Sequence, residues 1–208
     1  VEKRNEMKTA ARVLSWVYQP LLMPTYLFVV ILAYNPSLLL PLRPVWSLVF
    51  LITGMTFGLP AINFAFFRMT GSVRNLTMPD RRDRIVPFIF ISVLYVFLTL
   101  LFYFKMHMLS LVYLLAIMSA QVIVATVITF YFKISIHALA AAGLSGMILG
   151  MMIIARDARL AVPLAVSMLL CGAVMSARLQ LNAHRPIETT YGAVVGFALG
   201  VAGMLLLF

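Results

Sequence analysis

The sequence predicts an all-α fold: a polytopic integral membrane helical bundle with six to seven transmembrane helices. Three observations predict it. The chain is 63% hydrophobic and only 11% charged, whereas soluble domains are about half apolar and about a quarter charged. Its mean hydropathy is +1.05. Its apolar residues fall into runs of roughly twenty, the length an α-helix needs to cross the hydrocarbon core. The whole chain, 1–208, reads as a single transmembrane domain. A polar basic loop at 68–84, "RMTGSVRNLTMPDRRDR", is its one long hydrophilic stretch.

Seven segments are expected in order: 21–40, 45–67, 85–104, 109–132, 137–155, 160–177 and 189–208. Pro20, Pro24, Pro36 and Pro41 crowd the first, so it is either bent or partly interfacial, which leaves six spans as the alternative count. The segment before it, "VEKRNEMKTAARVLSWVYQP", is basic and only partly apolar, and carries neither a signal-peptide core nor a cleavage site. In the fifth segment "GLSGMILG" spaces Gly143, Ser145, Gly146 and Gly150 as close helix packing requires.

The formal charge is +10, from 16 basic and 6 acidic residues. In a chain this apolar, such a balance points to basic residues at membrane interfaces and not to nucleic acid. Seven spans put Lys3, Arg4, Lys8, Arg12, Arg68, Arg74, Arg81, Arg82, Arg84, Lys133, Arg178 and Arg185 on the N-terminal side, and only Arg43, Lys105, Arg156 and Arg159 opposite. Positive residues favour the cytoplasmic face, so that side is expected to be cytoplasmic. The lone Cys171 permits no internal disulfide and no cysteine metal cluster, and reads as a small buried hydrophobe.

The chemistry-bearing residues gather on that same side. His137 and His184 each precede or open an apolar helix, while His107 falls on the other side in "KMHM". Glu188 lies four residues beyond His184, one turn along a helical face, and Pro186 suits the helix start between them. A carboxylate beside an imidazole fixes its tautomer and leaves the other ring nitrogen basic. Such a histidine serves as a nucleophile, a second histidine supplies a proton, and arginines clamp a phosphate. These residues are expected at a polar helix mouth, outside the packed core. Taken singly, each also has a simpler role: arginine and histidine mark lipid interfaces, Ser135 caps a helix, and Glu188 complements a helix dipole.

Arg178-x5-His184-x3-Glu188, the stretch "KISIHALAAAG" and Arg74-x6-Arg81 together resemble the type 2 phosphatidic acid phosphatase superfamily, whose three motifs are K-x6-R-P, P-S-G-H and S-R-x5-H-x3-D. The third motif matches with Ala177 for serine and Glu188 for aspartate. The second matches at Ser135 and His137, with Ile134 for proline and Ile136 for glycine. The first has arginine for lysine and Arg82 where proline is expected; a second register uses Arg84, with Pro87 nearby. "TTYGAVVGFALG" is similar to the glycine-spaced helix that follows the third motif, and the resemblance covers about 74–200.

The resemblance implies a membrane-embedded lipid phosphate phosphatase, a metal-independent hydrolase of phosphate monoesters or diphosphates acting through a phosphohistidine, with no cofactor. It implies His184 as nucleophile, Glu188 as its orienting partner and His137 as the acid for the leaving alkoxide. Arg178, one or two of Arg74, Arg81 and Arg84, and Ser135 would hold phosphate oxygens, and Lys133 would reach into the site where Ile136 narrows it. The expected partners are a lipid phosphate and membrane lipids, with a homo-oligomer compatible and nucleic acid excluded. The expected setting is a bacterial inner membrane, with the site on the N-terminal, cytoplasmic side. Ile136 and the poor first motif support one alternative: a lipid-phosphate binding or transport protein with a degenerate site. An unrelated proton- or anion-coupled transporter is another, since ionisable residues in membranes also mark ion paths.

Overall fold

The computed structural model describes residues 2–34, 45–69, 82–106 and 109–208, and every regular element among them is helical. The helices are α1 (Glu2–Val17), α2 (Met23–Tyr34), α3 (Val45–Thr53), α4 (Leu59–Met69), α5 (Arg82–Met106), α6 (Leu109–Tyr131), α7 (Ile136–Ala155), α8 (Ala161–Gln180) and α9 (Pro186–Leu207). Among the described residues, seven helical stretches are long and apolar enough to cross a membrane: Asn5–Tyr34, Trp46–Phe66, Arg84–Lys105, Leu109–Tyr131, Ile136–Ala155, Ala158–Gln180 and Pro186–Leu207. The chain is thus an all-α integral membrane protein. Six of the seven expected segments agree with these stretches to within three residues at each end.

The first segment is corrected. Its helical stretch begins at Asn5 and not near residue 21, because α1 is amphipathic and buries Ala11 and Ser15 while leaving Arg12, Val13 and Trp16 exposed. Lys8 and Arg12 interrupt its apolar run, so a hydropathy reading passes over it. Pro20 opens a single 3₁₀ turn, Pro20–Leu22, and Pro24 sits in the first turn of α2, where its missing N–H leaves no hydrogen bond unmade. Pro36 and Pro41 lie outside the described residues.

The chain divides into two compact units, Val1–Met23 with Ile134–Phe208, and Pro24–Lys133. In the second unit α5 and α6 pack antiparallel through two hydroxyl rungs. Ser92 Oγ meets Thr126 Oγ1 at 2.8 Å, and Thr99 Oγ1 meets Ser119 Oγ at 2.9 Å. Each rung is seven residues from the other on both helices, so the same faces meet twice in one register. Bonds of this kind between membrane helices contribute about 0.6 kcal/mol each. Between α3 and α4 the helix widens into a π turn, Gly54–Gly58, whose closing bond runs from Leu59 N–H to the Gly54 carbonyl. Pro60 cannot donate to the Thr56 carbonyl four residues back, and that carbonyl accepts from the Tyr95 hydroxyl at 3.4 Å.

In the first unit α7 is the most buried helix. It packs against both α8 and α9, and α1 packs against α8. Ala141, Ala142 and Cys171 form a small core with Tyr18, Met175, Ala193 and Phe197 around it, so Cys171 is the buried small hydrophobe expected. The α7–α9 contact is made by backbone. A Cβ on Gly196 would overlap the Leu139 carbonyl, one on Gly200 would meet the Gly143 carbonyl, and one on Gly146 would meet the Phe197 carbonyl. The glycine spacing of both helices therefore does the packing work that the sequence suggested. Away from that contact, Val162, Val166 and Leu169 of α8 and Tyr191 and Val194 of α9 are exposed, as side chains that face lipid are.

The α7–α8 turn is held by a polar clasp. Asp157 accepts from the backbone N–H of Arg159 at 3.0 Å and pairs with its guanidinium at 2.7 Å. The hydrogen bond from the Arg159 side chain holds the Asp157 carboxyl below the usual carboxylate range.

Candidate functional site

The third motif is built on the turn between α8 and α9. α8 ends in a Schellman arrangement, with Ala183 N–H donating to the Arg178 carbonyl at 3.1 Å and Asn182 N–H to the Leu179 carbonyl at 2.9 Å. Asn182 carries the required left-handed backbone, φ 51°. Asparagine tolerates this conformation, while a residue with an ordinary Cβ loses about 1–2 kcal/mol in it. Asn182→Ala is therefore expected to lower unfolding stability by about 1 kcal/mol, and Asn182→Gly to leave it within about 0.5 kcal/mol of the parent. Equilibrium unfolding in detergent micelles checks both, and a destabilised glycine variant would show that the asparagine side chain matters more than its backbone.

This turn delivers His184 two residues before α9. Pro186 takes the first helical position and Glu188 the third. His184 Nδ1 and Glu188 Oε2 are 2.7 Å apart, with side chains 2% and 10% exposed. The spacing of four residues read from the sequence is realised as a short, buried imidazole–carboxylate hydrogen bond. The expected open polar mouth is corrected here. The pair is packed, because the first turn of α9 lies directly against the start of α7. The carboxylate also stands at the N-terminal end of α9, where the helix dipole favours negative charge.

The link to α7 is made by Ser135. Its backbone N–H donates to the Glu188 carbonyl at 3.1 Å. Its carbonyl rests against Gly192, whose Cβ, if present, would lie 2.6 Å away. Its hydroxyl caps α7 by accepting from Ala138 N–H at 3.5 Å, and the residue is fully buried. His137 follows in the first turn of α7, half-buried. The structure thus brings the second and third motifs into contact through Ser135 and Glu188. Arg178 sits half-buried in the last turn of α8, one turn of chain before His184.

The first motif is placed differently. Arg84 is buried in the first turn of α5, in the second unit, and Pro87 lies inside the same helix. Lys133 is half-buried at the end of that unit. Arg74 and Arg81 lie outside the described residues, as does His107. Among the described residues no group of three or more His, Cys, Asp or Glu side chains is arranged to hold a metal ion.

Three contributors escaped the sequence reading. Asn182 gives the turn its hand. Thr189, almost fully buried, donates from its hydroxyl to the Pro186 carbonyl at 2.8 Å and stiffens the first turn of α9. Gly192 admits the Ser135 peptide. The repeat Gly192-x3-Gly196-x3-Gly200 was the available signal for the last.

The pair can do one thing well. With Nδ1 engaged by Glu188, Nε2 is the ring nitrogen that carries the lone pair, and the carboxylate stabilises the positive charge that the ring gains when Nε2 bonds to an electrophile. No protein-family model, curated protein or solved structure matches the chain.

Proposed function

We propose that this chain is a membrane-embedded phosphatase of lipid phosphate monoesters or diphosphates, working through a phosphohistidine on His184. The observation that carries the reading is the buried 2.7 Å contact between His184 Nδ1 and Glu188 Oε2. Its supports are the contact of Ser135 with the Glu188 turn and the resemblance of both stretches to the phosphatidic acid phosphatase motifs.

In this reading Nε2 of His184 attacks phosphorus, and the P–O bond to the lipid alcohol breaks. His137 gives its proton to the departing alkoxide. Water, deprotonated by His137, then attacks the phosphohistidine, the N–P bond breaks and inorganic phosphate leaves. Arg178 offsets charge on the phosphoryl oxygens. The reaction takes place at the cytoplasmic face of an inner membrane, as the excess of basic residues on the N-terminal side favours.

Purified protein in nanodiscs is expected to release inorganic phosphate from a synthetic lipid phosphate with a chelator present. Glu188→Gln, which keeps a polar partner for Nδ1 but loses the charge, is expected to be slower than the parent and faster than a variant without His184. Binding of the lipid phosphate without release of phosphate, across a wide pH range and a broad lipid panel, would instead establish a binding or transport protein.

A further inference from the structure

The first turn of α9 holds the histidine–carboxylate pair, yet its own support is thin. Arg185 at the N-cap position provides no side-chain hydrogen bond, whereas Ser135 caps α7 with its hydroxyl. The Arg185 carbonyl is shared between Glu188 N–H at 3.0 Å and Thr189 N–H at 3.3 Å, so the turn lies between 3₁₀ and α geometry. One connection to the rest of the unit comes from α7. The Ser135 peptide straddles one turn of α9, donating from its N–H to the Glu188 carbonyl and laying its own carbonyl on Gly192.

We infer that Gly192 is a positioning residue for the His184–Glu188 pair: by lacking a side chain it lets the Ser135 amide reach and hold Glu188. The geometry sets the sensitivity. A Cβ on Gly192 would lie 2.6 Å from the Ser135 oxygen and 3.4 Å from both Ala138 Cβ and Leu139 N. Non-bonded carbon contacts settle near 3.5 Å, so the Ser135 peptide must retreat by roughly 0.5–1 Å. The Ser135–Glu188 hydrogen bond is already 3.1 Å long, and that retreat takes it beyond bonding distance. Gly200 makes the same kind of contact with α7 two turns further along, where no polar pair depends on it. The two glycines therefore separate helix packing from positioning.

The assignment rests on His184 as the reacting group, but its test does not use turnover. Full-length protein labelled with ¹⁵N-histidine is studied by NMR in nanodiscs. The downfield Nδ1–H resonance of an imidazole bound to a carboxylate is assigned to His184 by its loss in His184→Asn. Gly192→Ala is expected to lose or shift this resonance. Gly200→Ala is expected to keep it while losing thermal stability. If the two alanine variants leave the resonance alike, both intact or both changed, Gly192 has no role beyond helix packing. If Gly192→Ala does not fold, Ser135→Pro and Ser135→Ala decide the matter. Proline removes the amide donor and must shift the resonance, while alanine keeps the donor and must not; the reverse or equal behaviour overturns the inference. A lipid phosphatase without this clamp, or a clamp in a protein that hydrolyses nothing, would each be visible as such.

Discussion

His184→Asn is expected to abolish phosphate release while leaving the chain folded. The Nδ2 of asparagine falls near the position of Nδ1 and continues to donate to Glu188, but nothing replaces Nε2. Loss of a nucleophile in a hydrolase lowers turnover by a factor on the order of 10⁴ or more. His184→Ala is a poorer experiment. The histidine side chain is only 2% exposed, and its removal leaves a carboxylate buried without its partner, a loss of about 3 kcal/mol or more. The checks are phosphate release from a lipid phosphate by His184→Asn, measured with equilibrium unfolding of both variants. Residual turnover in His184→Asn within about tenfold of the parent would remove the histidine from the reaction, whatever the resemblance of its surroundings.

Gly196→Ile is expected to separate α7 from α9. Glycine at this position abuts the backbone of Leu139, and an added Cβ would lie 2.9 Å from its Cα and 2.7 Å from its carbonyl carbon. Side chains that meet side chains can change rotamer; a side chain aimed at a backbone moves a helix. The expected loss is about 3 kcal/mol or more, at or above the top of the usual range for overfilled cores. Gly172→Ala is the matched control, because nothing lies within 4 Å of its added Cβ, and it is expected to stay within about 0.5 kcal/mol of the parent. Unfolding of both variants in mixed micelles checks the contrast. A stability loss below about 1 kcal/mol in Gly196→Ile would mean that the α7–α9 contact is far looser than its geometry implies.

Most helix ends were legible because lipid imposes a single demand on a span, continuous apolar length, and that demand is written in composition. Residues 109–131 and 136–155 illustrate it, with polar residues few and the limits marked by Lys105 on one side and Lys133 on the other. α1 was not legible because Glu6, Lys8 and Arg12 stand among its apolar residues, and a sliding average of hydropathy blurs such a helix into a mean. The histidine–carboxylate pair was legible because four residues is a property of the helix itself, indifferent to the rest of the chain. Its burial was not, since that depends on α7 arriving against Glu188 and Gly192, a contact between positions more than fifty apart in sequence. Arg74 and Arg81 lie outside the described residues, so sequence gives their chemistry but no partner.

The π turn at Gly54–Gly58 also has a consequence for chain length. A turn closed five residues apart holds one residue more than a regular helix would at that point. A chain one residue shorter between Gly54 and Gly58 closes into an ordinary helix with little change in reach or azimuth, because the residue removed is the one the wide turn had absorbed. At this point a deletion is taken up where it occurs, and the side chains from Leu59 to Met69 keep their bearing toward protein and lipid, whereas the same deletion in a regular stretch turns everything beyond it by about 100°.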